Sequence, residues 1–392
     1  MPEFLSYGRQ LIEEDDIAAV VAALRSERLA HGPLVGAFEA AFAEAVGAGH
    51  AVACSSGTAA LQLALMAANV GPGDVCVVPA ITFLATATAA LWLGAEVRFA
   101  DVDADTGLMT PETLEQALAK EPRRVAAVLP VHLGGRMTDL GAIGAIAAER
   151  GARVIEDAAH ALGSADREGR AGDNGRSDFA CFSLHPVKTI AAGEGGMVTT
   201  AGADAAERMR RLANHGVTRE AMSDRELSFD ADGRPNPWSY EQVELGLNAR
   251  MDEMSAALGR SQVAKLARFK ARRAALAAAY DQALERLAPL VRPVRIGAGQ
   301  SPCLHLYQVL IDFNAAGMDR ATLMRRMSEA GVGTQVHYAP VYRQPYFSAR
   351  YGEQRLSGAE AFYARVLALP LFPAMEDEDV ERVAEVLRTT RL

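Results

Sequence analysis

The segment Phe182-Ser-Leu-His-Pro-Val-Lys188-Thr-Ile-Ala-Ala-Gly-Glu-Gly-Gly-Met-Val-Thr-Thr200 places one lysine between a strand-like run and a Gly-Glu-Gly-Gly turn. Upstream, the apolar run Val154-Ile-Glu-Asp157 ends in a carboxylate. A lysine amine can form a Schiff base with the aldehyde of pyridoxal phosphate, and a carboxylate can pair with the protonated nitrogen of its ring. We therefore predict that Lys188 and Asp157 hold this cofactor, which makes the chain a candidate aminotransferase.

Composition excludes several other classes of protein. The chain has 392 residues, of which 50% are hydrophobic and 23% are charged, as is typical of a globular protein with two domains. A net charge of -9 disfavours nucleic-acid binding. The four cysteines lack metal-ligand spacing, so we expect neither a metal site nor disulfides. Without a signal-peptide pattern or a long apolar segment, the chain is expected to be cytoplasmic and free of the membrane.

Apolar runs alternate with helical patterns through most of the chain. Strands are predicted at 51–54, 75–79, 96–99, 125–131, 153–156, 179–183 and 196–200. This alternation predicts a mostly parallel sheet covered by helices on both faces, with ligands at the carboxyl ends of the strands. We expect a large cofactor-binding α/β domain over residues 1–248 and a smaller α/β domain over residues 249–392.

Helices are predicted at 12–29, where an acidic start suits a helix N-terminus, and at 59–70. A single long helix is expected over 252–287, followed by a strand at 304–311 and helices at 321–330 and 377–388. Residues 219–240 lose all periodicity and are rich in turn formers, which predicts a long functional loop.

Each cofactor candidate also has an ordinary structural interpretation. Lys188 alone could be an ordinary surface lysine, and Asp157 could cap a helix. The functional interpretation is favoured because catalytic lysines need partial desolvation, and few other charges lie near Lys188 in the sequence. His160 lies one helical turn from Asp157, close enough to reach the phenolic oxygen of the same ring.

The turn Ser55-Ser-Gly57-Thr58 joins a predicted strand to a predicted helix. Backbone N–H groups and the helix dipole favour an anion there, and the hydroxyl of Ser183 could join them at a phosphate. Phe83 could supply an aromatic ring on which the cofactor stacks. A tight turn, a small strand residue and a core aromatic are the alternative interpretations.

A longer series of motifs runs in order along nearly the whole chain: Ser56-Gly-Thr-Ala-Ala-Leu61, Ala100-Asp-Val-Asp103, Pro130-Val-His-Leu-Gly134, Ile155-Glu-Asp-Ala-Ala-His160, Gly193-Glu-Gly-Gly-Met-Val198 and Gly246-Leu-Asn-Ala-Arg-Met251. The series resembles that of the DegT/DnrJ/EryC/StrS sugar-nucleotide aminotransferases, which are fold-type I enzymes that use pyridoxal phosphate. The resemblance implies a large sheet domain, a smaller C-terminal domain and an aminotransferase reaction.

Within that family, Tyr7-Gly-Arg-Gln10, Leu184-His-Pro-Val-Lys188 and Val336-His-Tyr-Ala-Pro-Val-Tyr342 resemble the pseudaminic acid branch, the UDP-4-amino-4,6-dideoxy-N-acetyl-β-L-altrosamine transaminases. This implies that L-glutamate donates its amino group to the C4 ketone of a UDP-linked 4-keto-6-deoxy-HexNAc sugar, with pyridoxamine phosphate as the intermediate cofactor form. The product would enter surface polysaccharide biosynthesis. The chain departs from its relatives at Leu29-Ala-His31-Gly-Pro33, where they often carry Thr-Gln-Gly-Pro.

The resemblance also implies roles for individual residues. Lys188 becomes the Schiff-base lysine, with Asp157 at the ring nitrogen, His160 at the phenolic oxygen and Phe83 stacked on the ring. The phosphate would be held by Gly57, Thr58, Ser183 and, from the partner subunit of a homodimer with shared sites, Asn248.

Substrate contacts are predicted from side-chain chemistry. Polar aromatics can stack on or hydrogen-bond a sugar nucleotide, and a glutamate carboxylate needs a cationic or amide partner. The candidates are His31, His185, Arg219, Arg250, His337, Tyr338 and Tyr342. Packing at a domain or subunit contact is the alternative interpretation for each of them.

Two other functions stay open at this point. A GDP-perosamine-type or a C3 sugar-nucleotide aminotransferase would use the same scaffold. A non-catalytic cofactor-binding regulator is the alternative from a different class, but no basic or DNA-binding appendage flanks the motifs. A dehydratase of this family typically carries His at the lysine position, so Lys188 argues against one.

Overall fold

A computed structural model describes residues 4–220 and 222–390, so the outermost residues of both predicted domains lie outside the described part. Seven strands form one sheet in the spatial order β1-β7-β6-β5-β4-β2-β3. They are β1 His50–Cys54, β2 Val75–Pro79, β3 Glu96–Ala100, β4 Val125–Val128, β5 Arg153–Asp157, β6 Phe179–Ser183 and β7 Gly196–Thr200. Strands β2 to β6 pair in parallel, and β7 is antiparallel to both neighbours. The predicted fold class, a mostly parallel sheet between helices, is confirmed.

Helices cover both faces of this sheet. One face carries α3 Gly57–Ala67, α4 Leu84–Trp92 and α7 Ala203–Ala213, and the other carries α2 Pro33–Val46, α5 Pro111–Ala119 and α6 Leu140–Glu149. Strand β2 is buried along its whole length because a parallel strand covered on both faces has no solvent side. Its sequence is accordingly a continuous apolar run and does not alternate.

The predicted single helix over 252–287 is wrong. The structure has two helices there, α9 Glu253–Val263 and α10 Leu266–Leu284. The chain turns at Lys265, whose backbone N–H bonds the carbonyl of Gln262 at 3.0 Å. The ammonium of Lys265 lies 2.6 Å from Asp15 and 2.8 Å from Asp16, which belong to α1 Glu14–Leu24. Tertiary ion pairs thus fix a break that helical propensity alone does not reveal.

The remaining elements form a smaller sheet with its helices, and a loop over residues 219–240. An antiparallel sheet of β10 Val291–Pro293, β11 Tyr307–Ile311 and β12 Val366–Leu369 packs with α11 Arg320–Glu329 and α14 Asp377–Thr389, and α13 Ser357–Arg365 also contacts β11. The helix α12 Pro345–Tyr351 packs instead against the large sheet, where Phe347 contacts Phe99 of β3. The irregular segment predicted at 219–240 contains the short helix α8 Arg225–Ser228 and is closed at its base by β8 Val217–Thr218 and β9 Glu241–Gln242. The division of the chain at 248/249 stays a prediction.

None of the helices in the described part of the chain is both long and apolar enough to cross a membrane.

Candidate active site

A cavity of about 630 Å³ opens at the carboxyl ends of the parallel strands. Asp157 ends β5 and Ser183 ends β6, while the loop after β1 begins α3. Seven predicted cofactor residues from distant parts of the chain line this one cavity: Gly57, Thr58, Phe83, Asp157, His160, Ser183 and Lys188. The topology therefore brings together most of the set that the sequence predicted.

The phosphate end of the cavity is built on the N-terminus of α3. Ser56 is the N-cap, and its hydroxyl accepts a hydrogen bond from the N–H of Ala59 at 3.1 Å. The N–H groups of Gly57 and Thr58 lie in the first turn, where no intrahelical carbonyl is available to them. A Cβ added to Gly57 would lie 2.9 Å from Cβ of Ser183, so only glycine leaves this cradle open. The cradle fits a phosphate group.

Asp157 is a buried carboxylate, 6% exposed, at the floor of the cavity. Oδ2 accepts a hydrogen bond of 2.6 Å from the hydroxyl of Thr86, and Oδ1 accepts one of 3.2 Å from the N–H of Ala159. Two donors stabilise the ionised form of a buried carboxylate. An ionised carboxylate in this place fits the protonated ring nitrogen of pyridoxal phosphate.

His160 is held in one tautomer. Its Nδ1 accepts a hydrogen bond of 3.2 Å from the N–H of Gly134, which leaves the proton on Nε2, 3.2 Å from the hydroxyl of Tyr338. Burial, with the nearby charge of Lys188, lowers the pKa of His160 well below its ordinary value. The imidazole is therefore a neutral donor that faces the cavity, and it fits the phenolic oxygen of the cofactor.

Lys188 is half-buried and lines the cavity through the turn after β6. Its backbone N–H bonds the carbonyl of His185 at 2.8 Å, which fixes the turn. Burial lowers the pKa of Lys188 from 10.5 to about 8, and the nearby charge of Asp157 opposes that shift. An amine with this pKa is available in its neutral form close to neutral pH, as a nucleophile or base requires.

Phe83 caps α4 and keeps 56% of its surface exposed at the cavity. Its ring centroid lies 6.0 Å from that of Tyr338, at an interplanar angle of 53°. Because its ring faces the cavity, Phe83 is suited to stack on a flat ring.

The predicted substrate residues divide into two groups. His185, His337 and Tyr338 line the cavity, and burial together with the charge of Lys188 lowers the pKa of His337 to about 3. Tyr342 is buried, and its hydroxyl donates to Glu360 at 2.8 Å, outside the cavity lining. The structure also places four other predicted residues away from the lining of this chain's own cavity: His31, Arg219, Asn248 and Arg250.

Sequence reasoning did not assign a role to several other residues of the site. Thr82, which lines the cavity, and Thr86, which contacts Asp157, lie four residues apart in an apolar, alanine-rich segment, and that spacing is a usable signal. Gln335 and Gln344 line the cavity from the C-terminal part of the chain. No local pattern distinguishes these two glutamines, since only tertiary packing brings them to the site.

Known proteins match the chain along nearly its full length. The model of the DegT/DnrJ/EryC1/StrS aminotransferase family matches residues 10–388. The spore coat polysaccharide biosynthesis protein SpsC of Bacillus subtilis (strain 168) is 38% identical over 388 residues, which are 98% of this chain and 96% of SpsC.

Two solved structures extend the comparison. Helicobacter pylori PseC, an aminotransferase involved in the biosynthesis of pseudoaminic acid, has a TM-score of 0.89 at 25% identity, with 99% of each chain covered. Spr1654 from Streptococcus pneumoniae, solved in a PLP form, has a TM-score of 0.87 at 25% identity and covers 99% of this chain and 98% of its own. A PMP form of Spr1654 gives a TM-score of 0.88. The cofactor of the family is thus pyridoxal phosphate, which agrees with the cradle, the carboxylate and the lysine described above.

Replacing Gly57 with Ala should weaken cofactor binding. The new Cβ would press on Ser183, and an overpacked contact of this kind costs about 1–3 kcal/mol, which corresponds to a roughly 5- to 150-fold higher dissociation constant for pyridoxal phosphate. The measurement is equilibrium dialysis of the cofactor against the purified variant. Gly36→Ala is the matched control, because a Cβ at Gly36 in α2 would meet nothing within 4 Å. Equal affinity of Gly57→Ala and wild type would remove Gly57 from the phosphate cradle.

The rate at which the cofactor-free protein captures pyridoxal phosphate should rise with pH through about 8 and then level off. If Lys188 is the residue that links to the cofactor, it would react as the neutral amine, which predominates above its pKa of about 8. Stopped-flow absorbance, normalised to a free lysine analogue, measures this profile. Asp157→Asn removes a charge that raises the lysine pKa, so its midpoint should move to lower pH. A midpoint near the ordinary lysine value of 10.5 would contradict the assignment.

Proposed function

Because this chain belongs to the DegT/DnrJ/EryC1/StrS aminotransferase family and is a pyridoxal phosphate-dependent sugar aminotransferase, we propose that its acceptor is the C4 ketone of a UDP-linked 4-keto-6-deoxy-HexNAc sugar. L-Glutamate is the proposed amino donor. The observation that carries the choice of sugar is the likeness to PseC over the full length of both chains. The likeness to SpsC supports a product that is consumed in surface polysaccharide synthesis.

When bound, pyridoxal phosphate supplies an aldehyde that links covalently to amines and a ring that delocalises negative charge. Lys188 is the residue proposed to move protons, since its amine has a pKa near the operating pH and can both accept and return a proton. Asp157 would hold the proton of the ring nitrogen, and His160 would donate its Nε2–H to the phenolic oxygen.

The cavity of a single chain is short of positive charge. Lys188 is the only lysine or arginine among the described residues that line it, and the buried histidines His160 and His337 are neutral. The cofactor phosphate, the carboxylates of glutamate and the diphosphate of a sugar nucleotide are all anions that need cationic or amide partners. This deficit supports a site that a second subunit completes.

Exposed polar residues near the phosphate cradle can make that contribution. The carbonyl of Ala249 accepts a hydrogen bond of 2.9 Å from the N–H of Ser55, so the segment that carries Asn248 and Arg250 runs beside the phosphate cradle. Asn248 is exposed, and Arg250 is half-buried with one bond of 2.6 Å to Asn214. Arg219 is also exposed, with Nη1 donating to the carbonyl of Pro237 at 3.3 Å. We propose that Asn248, with one of these arginines, serves the cavity of the partner subunit in a homodimer.

Large exposed apolar side chains support the same assembly. Trp238 and Tyr240, which directly precede β9 in the segment that β8 and β9 close, are 70% and 56% exposed, and Leu245, three residues after β9, is 83% exposed. Phe83 and Leu84 are exposed at the rim of the cavity. We propose that a second copy of the chain covers these side chains while delivering Asn248.

The alternatives are another sugar nucleotide on the same scaffold, GDP-perosamine-type or C3, and a regulator that binds the cofactor without turnover. His31 is the residue that supports a different sugar nucleotide, because it stands in an early loop where relatives often carry a different residue. The regulator is disfavoured by the lowered pKa of Lys188, which suits a reacting amine.

The substrate is tested by following the visible absorbance of the holoenzyme. L-Glutamate should bleach the yellow cofactor band, and the UDP-4-keto-6-deoxy-HexNAc should restore it, with 2-oxoglutarate and the amino sugar nucleotide as products. Lys188→Ala should bind pyridoxamine phosphate but show neither change. If only GDP- or dTDP-linked ketosugars restored the yellow band, the proposed UDP-linked sugar would be wrong. If glutamate bleached the band and no ketosugar restored it, glutamate would stand as the amino donor and the proposed acceptor would be rejected.

The shared site is tested by complementation. Lys188→Ala and Asn248→Ala homodimers should each be nearly inactive, while mixed dimers contain one site with both wild-type residues. Activity after subunit exchange should recover to about a quarter of wild type, the share expected when half the dimers are mixed and each has one intact site of two. Exchange demonstrated by mass labelling, without any recovery, would place Asn248 in its own chain's site.

A further inference from the structure

We infer that Thr86 is a positioning residue for the cofactor: its buried hydroxyl, backed by that of Thr82, keeps Asp157 ionised and aimed at the ring nitrogen. The inference rests on the proposed role of Asp157 and is independent of which sugar is the acceptor. Neither threonine was predicted to take part in the chemistry.

The geometry fixes the direction of the hydrogen bonds. Oγ1 of Thr86 lies 2.6 Å from Oδ2 of Asp157 and 2.7 Å from Oγ1 of Thr82. An ionised carboxylate can only accept, so Thr86 donates to Asp157 and its own oxygen accepts the proton of Thr82. All three side chains are buried, at 0%, 6% and 2% exposure for Thr86, Asp157 and Thr82. The chain therefore runs Thr82 to Thr86 to Asp157.

The aim of Thr86 is unusual for its place in a helix. A helical threonine commonly returns its hydroxyl to a backbone carbonyl of the preceding turn. Thr88, two residues further along α4, does this, donating to the carbonyl of Leu84 at 3.0 Å. The hydroxyl of Thr86 contacts Asp157, which is 71 residues away in the sequence. α4 thus delivers a donor to the carboxylate.

The hydroxyl has a direct electronic consequence. A carboxylate beside a protonated ring nitrogen shares one proton with it, and donors to the carboxylate favour leaving that proton on the nitrogen. Without Thr86, the carboxylate of Asp157 keeps one hydrogen-bond donor among the described residues, the N–H of Ala159 at 3.2 Å. Burial then penalises the carboxylate charge, so the shared proton moves toward the carboxyl and the ring becomes a weaker electron sink.

Nitrogen NMR of holoenzyme reconstituted with pyridoxal phosphate, isotopically labelled at its ring nitrogen, tests this without any turnover. Thr86→Val, which replaces the hydroxyl with a methyl of similar size, should move the ring-nitrogen resonance from the pyridinium position toward that of neutral pyridine. It should also weaken cofactor binding on the order of tenfold, the effect of losing a hydrogen bond to a charged group. Thr86→Ser restores the hydroxyl and should restore the wild-type resonance.

The controls separate this inference from the role of Asp157. Thr88→Val changes the same helix without touching the carboxylate and should leave the resonance unchanged. If Asp157→Asn moves the resonance and Thr86→Val does not, the inference about Thr86 is wrong and the role of Asp157 stands. If neither moves it, the ring partner is another residue and both assignments fail.

Thermal unfolding of the cofactor-free variants checks that they fold. If Thr86→Val does not, Thr86→Cys offers a weak donor of comparable size and should give an intermediate displacement of the resonance. A wild-type resonance in Thr86→Cys together with wild-type cofactor affinity would overturn the inference.

Discussion

The site depends on holding a charged carboxylate inside the protein at the end of a strand. Asp157 is fixed on both sides: its backbone N–H and carbonyl bond Pro130 and His132 of the neighbouring segment, while its side chain is satisfied by Thr86 and Ala159. An ionised group this buried is tolerated only with such partners. Since parallel strands end together, fixing β5 also fixes the distance to β6 and to the turn that carries Lys188. The carboxylate, the lysine and the phosphate cradle therefore form one rigid constellation.

Burial determines which side chains around the cavity carry a charge. The same low-dielectric surroundings lower the pKa of Lys188 and keep His160 and His337 neutral. The carboxylate of Asp157, in the same surroundings, is stabilised by hydrogen bonds from Thr86 and Ala159. In the proposed site, the neutral imidazole would suit the phenolic oxygen of pyridoxal phosphate, and the carboxylate would suit its protonated ring nitrogen. Among the described residues that line this chain's own cavity, Lys188 is the only lysine or arginine, and this shortage of positive charge is the physical argument for the proposed second subunit.

Much of this arrangement could be predicted because buried parallel strands and their loops have strong local signatures. All seven strands of the large sheet lie where the sequence predicted them, although β3 and β5 include charged residues. The carboxylate of Asp157 ends β5, and Lys188 lies in the turn after β6. Local signals failed where tertiary contacts decide the outcome. The break between α9 and α10 follows from ion pairs of Lys265 with α1, 250 residues away in the case of Asp15. Tyr338 and Tyr342 belong to the same motif, Val336 to Tyr342, and the sequence gives no reason to separate them. In the structure, the hydroxyl of Tyr342 donates to Glu360, outside the cavity.

Thr86 shows why the supporting residues of a site are harder to find than the reacting ones. A lysine or an aspartate in an apolar run is conspicuous, because its burial needs a reason. A threonine in a helix has an ordinary explanation in its own backbone, which Thr88 adopts. The two threonines differ only in their surroundings. Thr88 faces solvent and its own helical turn, whereas Thr86 faces the carboxylate at the end of β5. A residue that supports a reacting group is thus recognised when its side chain bonds that group and not a backbone carbonyl of its own helix.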